Sequence, residues 1–301
     1  MFKEEKFHIP AMLHEVIDYL LLKPGQVIVD ATIGTGGHSF EILKSISPGG
    51  KLIGIDRDEE SLNVCRGRLS DFNSSLELVH ANFVDLDEAL AKLGVDKIDG
   101  IIFDLGISTF QLKNAQRGFS FQEEGPLDMR LDKDSYISAY DLMNNLNESE
   151  ISGILWNFGQ ERWHNRIARL LIQERAIQPI ATTRQLADLV VRAIPHRYRK
   201  SHYRIHPATR TFQAVRIAVN RELEIIESAI KKAVTILKEQ ARICVISFHS
   251  LEDRAVKQTF RQLKAEGLIN IVTPKPLTPL LSEIEANPSS RSSKFRVAER
   301  I

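Results

Sequence analysis

The chain has 301 residues, of which 43% are hydrophobic and 26% are charged, and its formal net charge is +1. This length allows a large buried core and the composition is that of a folded globular protein, which argues against global disorder. No stretch is apolar enough to span a bilayer, so we expect a cytoplasmic protein without a membrane segment. Cys65 and Cys244 stand far apart, so neither a disulfide framework nor a thiolate zinc site is predicted.

The first predicted βα unit contains a glycine-rich turn. A helical pattern at residues 13–20 comes first, and a β-branched run at residues 27–30 follows it. Three glycines then precede the next helical pattern: Gly34, Gly36 and Gly37. Because glycine permits positive φ angles and lets a ligand approach the main chain, this turn indicates a cofactor site.

Three further apolar runs, at residues 51–56, 76–79 and 98–104, are predicted strands separated by helical patterns. This alternation predicts a doubly wound α/β sheet, which binds ligands at the carboxyl ends of its parallel strands. The predicted strands carry polar residues at that end: Asp30, Asp56, Asn82 and Asp104. Asp56 follows the glycine turn at the spacing expected of a carboxylate that binds a ribose.

The alternation stops after Asp104. No further strand is predicted before residues 241–249, and a connection of that length is far longer than a crossover helix requires. We therefore predict an inserted helical domain at residues 108–209. The sheet domain is then discontinuous and consists of residues 1–107 and 210–301.

The remaining patterns complete both predicted domains. An apolar stripe at helical spacing runs from Phe212 to Leu237 and leads the chain back to the sheet. Two short strands are predicted near the end, at residues 269–272 and 295–298. Trp156 and Trp163 are expected in the core of the inserted domain.

The positive charges are unevenly distributed. No acidic residue lies between Asp188 and Glu222, a stretch that we call the basic interval. Its basic residues are Arg192, Arg197, Arg199, Lys200, Arg204, Arg210, Arg216 and Arg221. The basic interval is a candidate phosphate-contacting surface.

The residues around the turn favour one cofactor over another. A nicotinamide dinucleotide site would have Gly-x-Gly-x-x-Gly, and here Ser39 takes the place of the third glycine. Asp30 is poorly placed beside an anionic pyrophosphate and well placed to pair with a cationic amine. S-adenosylmethionine has such an amine and a ribose diol, and it has no phosphate. These residues favour S-adenosylmethionine over NAD and leave open a turn with a purely structural role.

Longer motifs carry a family resemblance. They are His8-x-Pro10, the stretch Asp30 to Ser39, Asp104-Leu-Gly-Ile-Ser108, Arg117-Gly-Phe-Ser-Phe121, Pro126-Leu-Asp-Met-Arg130, and the stretches His206 to Arg216, Ser247 to Arg254 and Asn287 to Lys294. On these motifs the chain resembles the RsmH (MraW) family over nearly its whole length. The resemblance implies a Rossmann-like, S-adenosylmethionine-dependent methyltransferase with an inserted helical domain for RNA recognition. It also implies methylation of N4 of a cytidine in the decoding region of small-subunit ribosomal RNA, so the expected partner is that RNA or the small ribosomal subunit.

The resemblance also implies the site residues. Cofactor contacts are expected at Gly36, Gly37, His38, Asp56, Phe83, Asp104 and Gln111. Asp56 would bind the ribose hydroxyls, and Phe83 would lie near the adenine. Asp104 and Gln111 would face the methionine end or the incoming base, and Asp104 is the predicted acceptor of a proton from N4. Substrate contacts are expected at Arg197, Arg199, Lys200, Arg204 and His249.

Two other functions stay open. A noncatalytic RNA-binding ribosome assembly factor would retain a vestigial cofactor site, and the intact Gly36, Gly37, Asp56 and Asp104 argue against it. An NAD-linked oxidoreductase would need the third glycine. No compact cluster of metal ligands is visible, so no metal is predicted. A monomer and a homodimer both stay open.

Overall fold

The computed structural model describes residues 10–199 and 206–301, apart from the side chains of residues 197 and 199. The described residues form two compact units. The sheet unit comprises Met1–Gly106 and Leu223–Ile301, and the helical unit comprises Ile107–Glu222. In the described part of the chain, helices that combine the length and the apolar character needed to cross a bilayer are absent.

Residues 10–199 and 206–301 form seven strands and fourteen α-helices. The strands are β1 (Val27–Asp30), β2 (Lys51–Asp56), β3 (Leu76–His80), β4 (Ile98–Asp104), β5 (Leu237–Ser247), β6 (Ile269–Ile271) and β7 (Lys294–Arg300). The helices are α1 (Leu13–Leu20), α2 (Gly37–Ile46), α3 (Glu59–Arg68), α4 (Leu86–Lys92), α5 (Thr109–Lys113), α6 (Ala139–Asn145), α7 (Glu148–Gly159), α8 (His164–Arg175), α9 (Thr183–Ala193), α10 (His196–Arg199), α11 (Thr209–Asn220), α12 (Glu222–Ile236), α13 (Ser250–Ala265) and α14 (Leu281–Ala286).

The seven strands form one sheet in the order β3-β2-β1-β4-β5-β7-β6. Strands β1 to β5 run parallel, whereas β7 is antiparallel to both β5 and β6. The strand order reverses beside β1, which pairs with β2 on one side and with β4 on the other. In an open parallel sheet this switch point opens a crevice at the carboxyl ends of the strands. The predicted α/β sheet is confirmed.

Helices cover both faces of the sheet, so the central strands are buried on two sides. Ile28 packs in a cluster with residues of α1 and α2, and its neighbour Val29 packs in the opposite cluster with residues of α12 and α13. Because both faces are buried, residues 27–29 of β1 and residues 101–103 of β4 are continuous apolar runs rather than alternating ones. Cys65 and Cys244 are buried in the first cluster, and burial raises the pKa of the Cys65 thiol to about 12.

The helical unit has a core of its own. Ile151 and Leu155 of α7 pack there with Ile167 and Leu171 of α8, at the helical spacing seen in the sequence. Helix α11 packs closely against α7, since a Cβ at Gly159 would lie 2.7 Å from the carbonyl oxygen of Arg210. Only glycine allows this approach.

Three sequence-based expectations about the helical unit differ from the structure. The sheet domain was expected to resume at residue 210, whereas the helical unit extends to Glu222 because α11 packs on α7. The predicted apolar stripe is also two helices rather than one, because Arg221 adopts a left-handed φ of 51° between α11 and α12. Trp156 was expected in the core and is 55% exposed, whereas Trp163 does pack against the core.

Candidate active site at the carboxyl ends of the strands

The glycine turn joins β1 to α2. Gly34 and Gly36 have positive φ angles of 50° and 81°, which favour glycine. A Cβ at Gly36 would lie 2.9 Å from Leu69 Cδ1 and 3.0 Å from Cys65 Sγ. Backbone conformation and close packing against the α3 region therefore both require a glycine at position 36.

Asp30 ends β1 as a buried carboxyl group. Its Oδ2 accepts a hydrogen bond of 2.7 Å from the Ser39 hydroxyl, and its Oδ1 accepts one of 3.2 Å from the Thr32 N–H. Burial raises the pKa of Asp30 from 3.8 to about 6, and the two hydrogen bonds oppose this rise. Ser39 therefore has a structural reason to occupy the third glycine position, which the sequence pattern did not reveal.

Asp56 ends β2 and ties that strand to the glycine turn. Its Oδ2 accepts a 2.8 Å hydrogen bond from the Gly34 N–H, and its Oδ1 accepts one of 2.9 Å from the Asp58 N–H. Burial raises the pKa of Asp56, and both N–H groups oppose the rise. Each carboxylate oxygen has more than one acceptor site, so the group still has capacity for ligand hydroxyls.

Asp104 ends β4, where its backbone N–H donates to the Thr32 hydroxyl over 2.6 Å. Its Oδ1 is buried and has no hydrogen-bond partner among the described residues. Its Oδ2 lies 3.7 Å from Nδ1 of His38. Burial raises the pKa of Asp104 well above its usual value, and the charges of Asp30 and Glu252 add to the rise.

The His38 ring is held in one orientation. It is 5% exposed, and its Nε2 lies 2.9 Å from the carbonyl oxygen of Ala11. Because a carbonyl oxygen only accepts, Nε2 carries a proton there. Nδ1 is therefore the ring nitrogen that faces the Asp104 carboxyl.

Glu252, near the start of α13, adds another carboxylate to this end of the sheet. It is 1% exposed, and its Oε2 accepts hydrogen bonds from the N–H groups of Phe248 (2.9 Å) and His249 (3.3 Å). In return, Nδ1 of His249 accepts from the Glu252 N–H over 3.3 Å, which completes a capping box. His249 therefore orders the start of α13; its predicted base contact stays a prediction.

The carboxyl ends of β1, β2 and β4, with the start of α13, thus form a cluster of carboxylates, which we call the rim cluster. Its members are Asp30, Asp56, Asp104 and Glu252. They are close enough that the charge of Asp56 raises the pKa of Asp30, and that of Glu252 raises the pKa of Asp104. Such a cluster attracts a cation and repels an anion.

Comparison with known proteins identifies the family. Residues 5–301 match the MraW methylase family. The chain belongs to that family. It is 45% identical to ribosomal RNA small subunit methyltransferase H of Clostridioides difficile (strain 630), over 99% of this chain and 100% of the relative. It is 46% identical to the protein of the same name from Sulfurihydrogenibium sp. (strain YO3AOP1), over 98% of this chain and 99% of the relative.

The MraW methylase motifs fall in both units. Asp56 and Asp104 end β2 and β4, Gly36 lies in the glycine turn, and Gly37 and His38 begin α2. Phe83 follows β3, where it is 9% exposed and packs edge-on against Phe103 with ring centroids 5.8 Å apart. Gln111 belongs to the helical unit, where its side chain completes a capping box with Ser108 at the start of α5. The cofactor contacts of these residues remain predictions.

The basic interval is described only in part. Lys200 and Arg204 lie outside the described residues, and so do the side chains of Arg197 and Arg199 in α10. Arg216 forms a two-point ion pair with Glu222, with N–O distances of 2.9 and 2.8 Å. Both residues belong to the helical unit, and this ion pair already neutralises the charge of Arg216 that a phosphate would otherwise meet.

Proposed function

We propose that the chain transfers a methyl group from S-adenosylmethionine to N4 of a cytidine in the decoding region of small-subunit ribosomal RNA. Membership of the MraW methylase family and relatives named ribosomal RNA small subunit methyltransferase H support methylation of that RNA. The choice of N4 and of the decoding region rests on the sequence motifs that resemble the RsmH family. We assign RNA recognition to the helical unit and its basic interval.

The observation that carries this proposal is the rim cluster. Buried carboxylates whose charges raise the pKa of a neighbouring carboxyl repel one another, so such a site is less stable when nothing positive is bound. S-adenosylmethionine has a sulfonium and an ammonium group, and both would relieve this repulsion. The pyrophosphate of NAD would add negative charge to it, which together with Ser39 argues against the oxidoreductase.

The rim residues fit separate parts of this cofactor. Asp56 retains acceptor capacity for a ribose diol, although the N–H groups of Gly34 and Asp58 already bind it. Asp30 and Asp104 fit the cationic end of the molecule. When bound, S-adenosylmethionine supplies a methyl group that is already electrophilic, so placement and proton removal are what the protein has to provide.

Asp104 has the properties of the proton acceptor. A cytidine amine that gains a methyl group must lose one proton, and a carboxylate oxygen that holds this proton makes the nitrogen lone pair available. Oδ1 of Asp104 is suited to this because it has no partner among the described residues. Burial raises the pKa of Asp104, and the positive charge of the bound cofactor would oppose that rise and favour the ionised carboxylate, which is the form that accepts a proton. Nδ1 of His38 lies 3.7 Å from the other oxygen.

The test is to incubate the purified chain with methyl-labelled S-adenosylmethionine and small-subunit RNA, both free and in assembled subunits. The RNA is then digested to nucleosides and the label is mapped. We expect the label in N4-methylcytidine from one position of the decoding region. Label on another atom or in another region would reject the proposed target, and no label with either substrate would support the noncatalytic assembly factor.

A further inference from the structure

The end of α7, the α7–α8 turn, the start of α8 and α10 carry aromatic and basic residues, which we call the 156–198 surface. It comprises Trp156, Arg162, Trp163, His164 and Tyr198. Trp156 is 55% exposed, whereas the preceding residue, Leu155, is fully buried in the core of the helical unit. Helix α7 therefore packs well while it directs an indole outward, so the exposure of Trp156 is not a defect of packing.

The Trp156 indole rests against a fixed ring. The ring centroids of Trp156 and His164 are 5.1 Å apart, with planes inclined by 40°. The Ser152 hydroxyl lies 2.7 Å from His164 Nδ1 and donates to Asn165 Oδ1, also over 2.7 Å. Because the Ser152 hydroxyl has one proton and donates it to Asn165, Ser152 accepts a hydrogen bond from His164 Nδ1. Nδ2 of Asn165 lies 3.5 Å from Nε2 of His164. This network fixes the His164 ring against which Trp156 rests.

The guanidinium of Arg162, close in sequence to Trp156 and His164, stacks on two other rings. The guanidinium carbon of Arg162 is 5.2 Å from the ring centroid of Trp163 and 5.4 Å from that of Tyr198. The rings of Trp163 and Tyr198 are themselves 5.3 Å apart. Because Tyr198 belongs to the basic interval, this contact joins the α7–α8 turn to the segment expected to contact phosphate.

The charges near the surface select the partner. Arg162 is exposed, and the following helix α8 adds exposed Arg166. The exposed Arg169 of the same helix pairs with Glu148 over 3.5 Å. Arg166 is held at the surface by a 2.9 Å hydrogen bond from Nε to the carbonyl oxygen of Ala193. Single-stranded nucleic acid binds where an exposed aromatic ring such as Trp156 lies near basic side chains, because a base stacks on the ring and phosphates meet the cations.

We propose that the 156–198 surface binds a single-stranded segment of the substrate RNA, with one base stacked on Trp156 and a phosphate beside Arg162. This inference rests on the proposed function, since it gives that RNA a second contact outside the rim of the sheet. The ring fixed by Ser152 and Asn165 makes the surface preorganised, so little side-chain freedom is lost when a base stacks.

The experiment compares four variants by equilibrium binding to free small-subunit RNA and by methyl transfer at saturating RNA. Trp156→Ala should weaken RNA binding about tenfold to a hundredfold, whereas Trp156→Phe, which keeps a ring, should retain most of the affinity. Arg162→Ala should weaken binding and lower the salt dependence by about one counterion. Ile177→Ala is the matched control, because Ile177 is 87% exposed on the same unit and should not affect RNA binding.

A second readout reports contact directly. The chain has two tryptophans, so Trp163→Phe leaves Trp156 as its sole indole fluorophore. We expect a single-stranded oligonucleotide from the substrate to quench this fluorescence. The inference would be overturned if Trp156→Ala bound RNA with wild-type affinity. It would also be overturned if Trp156→Ala bound free RNA normally and assembled subunits more weakly, because that result would indicate a contact with ribosomal protein. Either result leaves the proposed function intact if the wild-type chain still methylates N4, whereas a wild-type chain that neither binds nor methylates the RNA rejects both.

Discussion

Replacement of Asp30 by asparagine tests whether the end of β1 is built for a cation. Asp30 is 2% exposed, and its pKa is raised from 3.8 to about 6. The native state therefore binds this proton more tightly than the unfolded chain. The free energy of unfolding falls as pH rises between these two values, by about 3 kcal/mol in all, and it stays reduced at higher pH.

Asparagine cannot ionise, so Asp30→Asn does not undergo this loss. Between about pH 5 and about pH 7.5 the stability of Asp30→Asn relative to wild type should increase by about 1.4 kcal/mol. The pH-independent part of the difference is less informative, because asparagine has one acceptor oxygen and so loses one of the two hydrogen bonds that Ser39 and Thr32 donate to Asp30. The change with pH is therefore the quantity to measure.

The assay is urea unfolding followed by circular dichroism at both pH values, without cofactor. Asp71→Asn is the control, because Asp71 is an exposed carboxyl in a short 3₁₀ helix of the same unit. The same Asp30→Asn protein should bind S-adenosylmethionine more weakly than wild type at neutral pH. An equal stability difference at both pH values would refute the reasoning that Asp30 is a buried carboxylate retained for a cation.

Two further predictions concern the effect on protein stability of substitutions at positions other than Asp30. Glu161 is buried, burial raises its pKa, and its Oε2 has no partner among the described residues. Glu161→Gln should therefore raise the melting temperature at neutral pH by an amount equivalent to about 1 kcal/mol of stability. A lower melting temperature would mean that the carboxylate is needed. Gly36→Ala should destabilise the fold by about 1–3 kcal/mol in urea unfolding, because Gly36 has a left-handed φ and an added Cβ would lie 2.9 Å from Leu69 Cδ1. Gly67→Ala is the control, since Gly67 lies in α3 with open space around it, and it should be neutral or stabilising. Equal effects of the two alanines would contradict the packing of the turn.

The sheet was predictable because its physical signature is local. Strands β1 and β4 are buried on both faces, so each contains an apolar run, at residues 27–29 and 101–103, that is followed directly by an acidic residue. Once the strands are parallel, their carboxyl ends meet at one edge. Asp30, Asp56 and Asp104 could therefore be assigned to the same site from the order of strands and helices along the chain.

Other features depend on contacts that sequence spacing does not encode. The hydrogen bond from Ser39 to Asp30 crosses from α2 to the end of β1, and no pattern distinguishes it from an ordinary substitution of glycine. Glu252 had a local indication, since it follows His249 at the spacing of a capping box, but histidine is not among the usual capping residues.

The helical unit was harder to predict for a related reason. The apolar periodicity from Phe212 to Leu237 continues across the break at Arg221, because that break uses a left-handed arginine and not a glycine or proline. Trp156 was assigned to the core because large aromatic side chains are usually buried there. Its outward position depends on the orientation of α7, which is set by Ile151 and Leu155.

The central claim is that methyl transfer takes place at the rim cluster with Asp104 as the proton acceptor. The most direct measurement is the single-turnover rate of transfer to small-subunit RNA by Asp104→Asn, with cofactor and RNA both saturating and with cofactor binding measured on the same protein. We predict transfer about a hundredfold to ten-thousandfold slower than wild type while cofactor still binds. A variant that binds cofactor and transfers the methyl group at the wild-type rate would contradict the claim.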